Sequence, residues 1–432
     1  MRDLLLTAIF IGLIPMILSR PYVGALAWAW VSLMSPHRLT YGFAYSFPIG
    51  TVVAGTTLVA LLFTSERKPF PWNSITVLLI LFVSWMSLTT IWALNPNSDG
   101  VMNAWIQALK IHLMLLVTLV LIRGRQHIEA LIWVMVLSIG YYGTKGGFFT
   151  LRTAGAHRVW GPTGTFIEGN NELALALVAV IPLMYYLVVV SRHLWVRRGL
   201  WFAIALCIAS ILGSHSRGAL VAVLGMLLFF VAKSNRPFMI SAVLATVLGI
   251  ALLAMPAEWF ARMDTITDYQ EDSSAMSRIN TWTTIWNMAM DRPIVGAGFC
   301  VGSDLLYQLY SPNPLGKSFD SHSIYFQALG EHGFVGLTIY LLLGISVWRR
   351  ASKLAKACED GPDKDWVPTL MRMTQVSLIG FATGGAFLGL LHYDFPYYLA
   401  GIVVMVDATC KDNSGHAFGV ASGQAASQLS SR

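Results

Sequence analysis

Thirteen apolar runs of about 15 to 22 residues follow one another along most of this sequence. They lie at 4–19, 21–35, 47–64, 73–94, 104–122, 127–146, 171–190, 199–213, 217–232, 237–256, 330–348, 371–391 and 395–409. A helix needs about 20 apolar residues to cross a bilayer core. Only 12% of the residues are charged, whereas soluble domains average about 25%. A soluble enzyme, a disordered chain and a coiled coil are therefore excluded, and the sequence predicts an all-α polytopic membrane protein.

The first two runs are separated only by Arg20 and Pro21. Proline lacks an amide hydrogen and disfavours helix at the residue before it, so the chain must break here. Two arrangements fit: a tight hairpin of two helices, or one kinked crossing with an interfacial piece. We favour the second, which gives about 12 transmembrane helices with both termini on one side. The N-terminal run lacks a small-residue cleavage site and is expected to be retained.

Lysine and arginine are unevenly distributed between alternate loops. Five loops, at 64–70, 123–126, 192–198, 232–236 and 349–364, carry 14 of them, while the alternate set carries 8 over much more chain. The positive-inside rule places the first set in the cytoplasm and the second set outside. The net charge of +7 therefore reflects membrane orientation, and no nucleic-acid partner is expected.

The second set includes one long insertion, which begins at residue 257. The sequence predicts membrane helices with short loops over 1–256, a large outer loop over 257–329, membrane helices again over 330–410 and a disordered cytoplasmic tail over 411–432. Residues 277–290 within the loop predict an amphipathic helix. Long ordered loops are usually functional.

Two arginines stand out in the outer set. Arg217 follows His215 where a short loop meets the run at 217–232, and a helix start with an arginine favours an anion. The alternative is an interfacial anchor that reaches the headgroups. Arg278 lies one turn before Trp282, where it could hold a phosphate, or could belong to a helix resting at the membrane surface.

A third feature is the segment 319–333. Asp320 and Ser321 are good N-cap residues, which predicts that His322 lies in the first turn of a helix and tends to be a neutral base. A capping or interfacial histidine is the alternative. The segment 145–172 adds Arg152 and Arg158 and reads equally well as a connector or as part of a substrate site.

Metal and cofactor motifs are missing from the sequence. It contains no phosphate-binding loop, HExxH or EF-hand pattern, so we expect neither a cofactor nor a metal. The apolar runs hold few acidic residues of the kind that ion-coupled carriers use, which weakens the case for a transporter.

Four segments, taken in order, resemble the O-antigen ligase/polymerase superfamily of bacterial inner-membrane glycosyltransferases: GNNELALAL (169–177), SRGAL (216–220), SRINTWTTIWNMAMDRPIVGAGF (277–299) and HSIYFQALGEHGFVGL (322–337). Residues 20–45 are similar to an exosortase-associated O-glycosylation ligase branch. The resemblance covers most of residues 1–410.

The resemblance implies a GT-C-like fold and an inverting, metal-independent transfer of a glycan from undecaprenyl pyrophosphate to an acceptor in the periplasm. Arg217 and Arg278 would bind the pyrophosphate, His322 would activate the acceptor hydroxyl, and Glu331 would orient His322 or cap its helix. Supporting roles are expected for Asp320, His215, Arg152 and Arg158.

The expected acceptor is a lipid A–core sugar, giving an O-antigen ligase of lipopolysaccharide biosynthesis, because the sequence lacks an extra C-terminal module seen in protein-targeting relatives. The partners would be the lipid-linked donor, this acceptor and inner-membrane lipids. A protein O-oligosaccharyltransferase, an O-antigen polymerase and a lipid or glycan transporter remain alternatives.

Overall fold

The computed structural model describes residues 1–96, 98–232, 249, 273–313 and 318–430. Within these residues the regular secondary structure is entirely helical. Their α-helices, in chain order, are α1 Arg2–Ser19, α2 Pro21–Met34, α3 Ile49–Phe63, α4 Ser74–Ile91, α5 Asp99–Leu121, α6 Gly124–Arg152, α7 Asn170–Val190, α8 Leu194–Gly213, α9 Arg217–Ala232, α10 Ser273–Asp291, α11 Asp304–Tyr310, α12 Ile324–Ala357, α13 Val367–Gly385 and α14 Asp394–Ser430. Short 3₁₀ turns follow α2 at Pro36–Leu39 and Phe43–Tyr45.

Six of these helices, α1, α4, α5, α7, α8 and α12, are long and apolar enough to cross a membrane. Shorter apolar helices occur at Pro21–Met34, Ile49–Phe63 and Arg217–Phe229. The all-α prediction is confirmed, and the chain is a multi-pass membrane protein. The predicted run at 237–256 and the part of the outer loop at 257–272 lie outside the described residues, apart from residue 249.

The two N-terminal runs form a hairpin, so the single kinked crossing that the sequence favoured is wrong. Helices α1 and α2 pack side by side and meet at Arg20. At the far end of the pair, Asp3 accepts hydrogen bonds from the amides of Gly42 and Ala44, which follow α2. The first residues of α1 therefore lie beside the chain that leaves α2. A single-residue break is enough because Pro21, at the first position of α2, needs no amide partner.

The loops assigned to the outer set meet at one end of the bundle. The amide of Val159 donates to the carbonyl of Gly213 at 3.0 Å, which joins the loop after α6 to the α8–α9 turn. The amide of Leu94 donates to the carbonyl of Ala297 at 2.9 Å, which joins the loop after α4 to the loop after α10. The chain thereby collects its candidate site residues at this end.

The helix predicted at 277–290 is present as α10, whereas the run at 330–348 belongs to a longer helix. Helix α12 begins at Ile324 and contains a break at Gly333, whose φ of 69° favours glycine. Backbone groups opened by the break are paired with the loop after α10: the amide of Ala297 donates to Gly330 at 2.7 Å, and the amide of Phe334 donates to Pro293 at 2.8 Å. The glycine-rich segment 296–299 therefore has a structural task.

The last helix extends well past the final apolar run. Helix α14 continues to Ser430, through most of the segment for which the sequence predicted a disordered tail. The composition of that segment is mixed, because its alanines and glutamines favour helix while its glycines and serines disfavour it.

Candidate active site

One tryptophan fastens α10 to the segment that leads into α12. The indole Nε1 of Trp282 donates to the carbonyl oxygen of Ser321 at 3.0 Å, and its ring stacks on Phe326 with centroids 5.3 Å apart and planes at 4°. Arg278 lies one turn before Trp282 on the same helical face, and His322 is the next residue after Ser321. The positive charge of Arg278 therefore acts directly on His322.

His322 precedes α12 and is not part of its first turn, contrary to the prediction. The helix begins at Ile324, and the N-cap is Ser323, whose hydroxyl accepts from the amide of Phe326 at 3.4 Å. His322 itself has a left-handed φ of 47°, which is uncommon outside glycine, asparagine, aspartate and histidine. The sequence prediction failed because Asp320 and Ser323 are both acceptable caps, and the nearer one is used.

The imidazole of His322 is held in its neutral form. Burial is the larger cause and the charge of Arg278 the smaller, and together they lower the pKa of His322 to about 4. A neutral imidazole at pH 7 has a free lone pair and can accept a proton. The neutral state agrees with the prediction, although its causes are burial and a neighbouring arginine.

As predicted, Arg217 is the first residue of α9. The start of α9 packs against the chain after α13, where a β-carbon added to Gly218 would lie 3.7 Å from Cβ of Phe387. The ring of Phe387 lies 6.3 Å from that of Trp282. The first turn of α9 and the middle of α10 thus meet across one phenylalanine. We call the region around Arg278 and His322, together with Arg217 at the start of the neighbouring α9, the reaction cleft.

His215, by contrast, has a structural role beside the reaction cleft. Its side chain is buried, its φ is 55°, and its Nε2 lies 2.8 Å from the carbonyl oxygen of Gly155. The amide group of Asn170 donates to the carbonyl of Ser214 at 2.7 Å. These two bonds tie the α8–α9 turn to the loop before α7, so His215 positions the start of α9.

One carboxylate, Glu172, lies near Arg278, and a second, Asp320, lies near Glu172. Asp320 accepts from the amide of Ser321 at 2.8 Å and is packed against Gly389. Glu172, in the first turn of α7, is close enough to interact electrostatically with both Asp320 and Arg278. Glu172 does not stand out in the sequence, because its neighbours Asp320 and Arg278 come from distant parts of the chain.

Glu331 lies in a sealed polar cluster. Its Oε2 is 2.7 Å from Nε2 of His392 and 3.7 Å from Nε2 of His332. Its Oε1 accepts from Gln327 and from the amide of Cys300, each at 3.3 Å. All the side chains around this carboxylate except Cys300 are buried. We call Glu331, His332 and His392 the sealed cluster.

The described contacts of Glu331 differ from those expected of a residue that orients His322 or caps its helix. Among the described contacts, its bonds go to the sealed cluster and its surroundings and none reaches His322. The ligand atoms of the sealed cluster all lie within 4.8 Å of one another, so these three residues could hold a metal ion. Two histidines and one carboxylate are a donor set that suits zinc.

Comparison with known families bears on these residues directly. Residues 202–341 match the family model described as O-Antigen ligase, and that stretch contains Arg217, Arg278 and His322. Residues 202–341 form a domain of the O-antigen ligase superfamily. This domain is that of a ligase- or polymerase-type glycosyltransferase. No curated protein matches the chain.

The N-terminal part of the chain matches a different family model. Residues 1–192 match a family of unknown function (DUF5935), and the similarity of residues 20–45 to the exosortase-associated branch stays a prediction. This N-terminal part contains Arg152 and Arg158, which the structure separates. Arg158 lines a cavity of about 820 Å³ together with Arg2, Arg38 and Lys145, whereas Arg152 is exposed at the end of α6 and does not line it.

Proposed function

We propose that this protein transfers a glycan from undecaprenyl pyrophosphate to a sugar hydroxyl of lipid A–core on the periplasmic side of the bacterial inner membrane. The chain would then be a multi-pass O-antigen ligase in which a large periplasmic loop carries part of the site. The observation that carries the proposal is the bond from Trp282 to Ser321, because it sets a fixed arginine beside a neutral histidine.

In the proposed reaction, His322 accepts the proton of the acceptor hydroxyl while that oxygen attacks the anomeric carbon of the donor sugar. The bond between this carbon and the pyrophosphate oxygen breaks, and the configuration inverts. The departing undecaprenyl pyrophosphate carries the electron pair and gains negative charge. General bases of this kind contribute about 10²- to 10⁴-fold to the rate.

Arg217 and Arg278 face the leaving group in this scheme. Guanidinium groups match phosphate oxygens in pairs of parallel hydrogen bonds and keep their charge at any physiological pH. Two of them supply the positive charge that a metal would otherwise provide, so the scheme is metal-independent. The charge of Arg278 serves twice, since it also keeps His322 deprotonated before the acceptor arrives.

Asp320 and Glu172 have supporting roles in the proposal. Glu172 lies within electrostatic range of Arg278, and a carboxylate beside a guanidinium limits the rotamers that the arginine adopts. Glu172 would hold the arginine in place when the donor is absent, and the pyrophosphate would displace it on binding. Asp320 would fix the segment before His322 through its bond to the amide of Ser321.

The test is transfer by purified full-length protein in lipid nanodiscs, with undecaprenyl-pyrophosphate glycan as donor. Three acceptors are offered separately: lipid A–core, a serine- and threonine-rich peptide, and a second molecule of the donor. We expect product with lipid A–core, none from His322→Ala, and no change on adding EDTA. Product only with peptide or only with donor would replace the ligase by a protein glycosyltransferase or a polymerase. Absence of every product, with glycolipid flux across vesicles, would support a transporter instead.

A further inference from the structure

A second site is suggested by the cavity that Arg158 lines. Its volume is about 820 Å³, and its charged lining residues are Arg2, Arg38, Lys145 and Arg158, with no acidic residue among them. Ligand cavities in proteins commonly measure about 300 to 1,000 Å³. Four cations around one concave surface create a field that concentrates anions. We call this space the basic cavity.

Aromatic rings stand exposed around the same space. The side chains of Tyr41, Tyr141 and Trp160 line it and are 89%, 41% and 61% exposed. Arg2 lies over the ring of Tyr41 with its guanidinium carbon 5.6 Å from the centroid. Exposed rings that keep an apolar face and a polar edge suit the faces of sugar rings, so the lining combines contacts for an anion with contacts for a saccharide.

The third wall of the basic cavity is apolar. Leu5, Leu6 and Ile9 of α1 and Phe149 of α6 line it. Helix α1 is long and apolar enough to span a membrane, and only 11% of it is buried. The basic cavity therefore opens toward the lipid at the edge of the bundle, where an acyl chain can lie against α1 while its headgroup lies among the arginines.

A smaller cavity lies next to the basic cavity. It measures about 490 Å³ and shares Arg38 with the basic cavity, and Glu168 lines its other part. Glu168 accepts from the amide of Gly164 at 2.7 Å and is within electrostatic range of Glu172, which borders the reaction cleft. The loop that carries Arg158 and Trp160 of the basic cavity also carries Gly155, whose carbonyl oxygen holds His215 just before α9. The same loop therefore lines the basic cavity and positions the helix that begins with Arg217.

We propose that the basic cavity is the acceptor site and that it binds the anionic, phosphorylated sugar headgroup of a membrane glycolipid. The assignment to the acceptor rests on the proposed function, whereas the binding of a phosphorylated glycolipid does not. Residues 1–192, whose family has no assigned function, would then supply acceptor binding, and the O-antigen ligase domain would supply donor binding and the base.

The experiment measures binding and turnover separately with full-length protein in nanodiscs of neutral lipid. The probe is lipid A–core with its phosphates, compared with enzymatically dephosphorylated lipid A–core and with phosphatidylglycerol. The variant is Lys145→Gln combined with Arg158→Gln, since both side chains are exposed and their loss leaves the packing intact. The control is Arg197→Gln, which removes one exposed positive charge outside the basic cavity.

We expect the double variant to bind the phosphorylated probe at least about tenfold more weakly, since it lacks two charged hydrogen-bond donors to phosphate. Binding of the dephosphorylated probe should not change, and Arg197→Gln should match the wild type. In turnover, the KM for acceptor should rise while the KM for donor stays constant.

Three results would overturn the proposal: unchanged binding in the double variant, equal weakening in the control, or phosphatidylglycerol that competes as well as the glycolipid. Transfer that proceeds normally in the double variant would remove the acceptor site and leave the proposed function standing. Charge-dependent binding of the phosphorylated probe without any transfer would support the binding site and contradict the proposed ligase activity.

Discussion

The reaction cleft and the sealed cluster each contain one histidine from the short segment 322–332, but the two side chains lie in opposite environments. His322 is half-buried, left-handed and set beside Arg278. His332 is buried with its Nδ1 2.8 Å from the hydroxyl of Thr89 and its Nε2 facing Glu331. A base must reach substrate, whereas a buried histidine with fixed partners serves packing. The comparison shows that accessibility and the neighbouring charge identify the reactive histidine, whereas residue type alone does not.

The largest effect should separate the two histidines. We expect His322→Gln to reduce kcat about 10²- to 10⁴-fold with an unchanged thermal midpoint, because only the proton acceptor is lost. His332→Gln should retain kcat per folded molecule and unfold at a lower temperature. The measurement is initial rate against thermal midpoint for both variants. Equal losses of kcat would remove the distinction between the two regions.

The second-largest effect is expected from removing the charge of Arg278. Arg278→Gln is expected to lower kcat about 10²- to 10³-fold, a typical cost of losing one group that stabilises developing negative charge. Arg292→Gln is the matched control, since Arg292 follows the same helix and donates to the backbone of Trp92. Steady-state kinetics with varied donor would check this, and a rise in the KM for donor alone would make Arg278 a binding residue without a catalytic role.

Substitutions in the sealed cluster should lower the thermal stability of the protein and change the transfer rate much less. Glu331→Ala removes the partner of His392, Gln327 and the amide of Cys300, and unsatisfied buried groups cost about 1 to 3 kcal/mol each. We therefore expect a clear drop in thermal midpoint. The control is Glu359→Ala, whose ion pair with Arg372 is exposed and is worth at most about 1 kcal/mol. A similar drop in both variants would show that the cluster is not special.

EDTA adds a sharper test of the sealed cluster. If the cluster binds no metal, chelation should change neither the thermal midpoint nor the rate. Loss of stability on chelation that is restored by zinc, and abolished in Glu331→Ala, would instead show a structural metal ion at these residues.

The smallest expected effect is in the pH profile. The active form of His322 is the neutral one, so the rate should be flat from pH 8 to 6 and fall only as the pH approaches the pKa of about 4. A histidine at its ordinary pKa of about 6.5 would already lose most of its rate by pH 6. The profile is measured on protein that regains full activity on return to neutral pH. A midpoint near 6.5 would contradict the influence of Arg278 and burial.

The local features of this chain could be predicted from its sequence. The apolar runs predicted the helical class, residues 277–290 predicted α10, and Arg217 was expected at a helix start. These features depend on periodicity, capping and charge within a few residues. The cap at Ser323 was missed by two residues because neighbouring serines and aspartates compete for that position.

The pairings that build the site were beyond the sequence. Trp282 and Ser321 are 39 residues apart, and Glu331 and His392 are 61 apart. Such contacts depend on how helices pack, which a single sequence does not specify. The basic cavity was missed for the same reason: Arg2, Arg38 and Arg158 come from three separate segments, and only Arg158 drew attention by itself.

The central claim is that His322 accepts the proton of the acceptor hydroxyl beside Arg278. Its most direct test is chemical rescue of His322→Ala by free imidazole, with Arg278→Gln treated in parallel, in the nanodisc transfer assay. The account predicts that imidazole restores part of the rate of His322→Ala and none of the rate of Arg278→Gln. Full activity of His322→Ala without imidazole would contradict it.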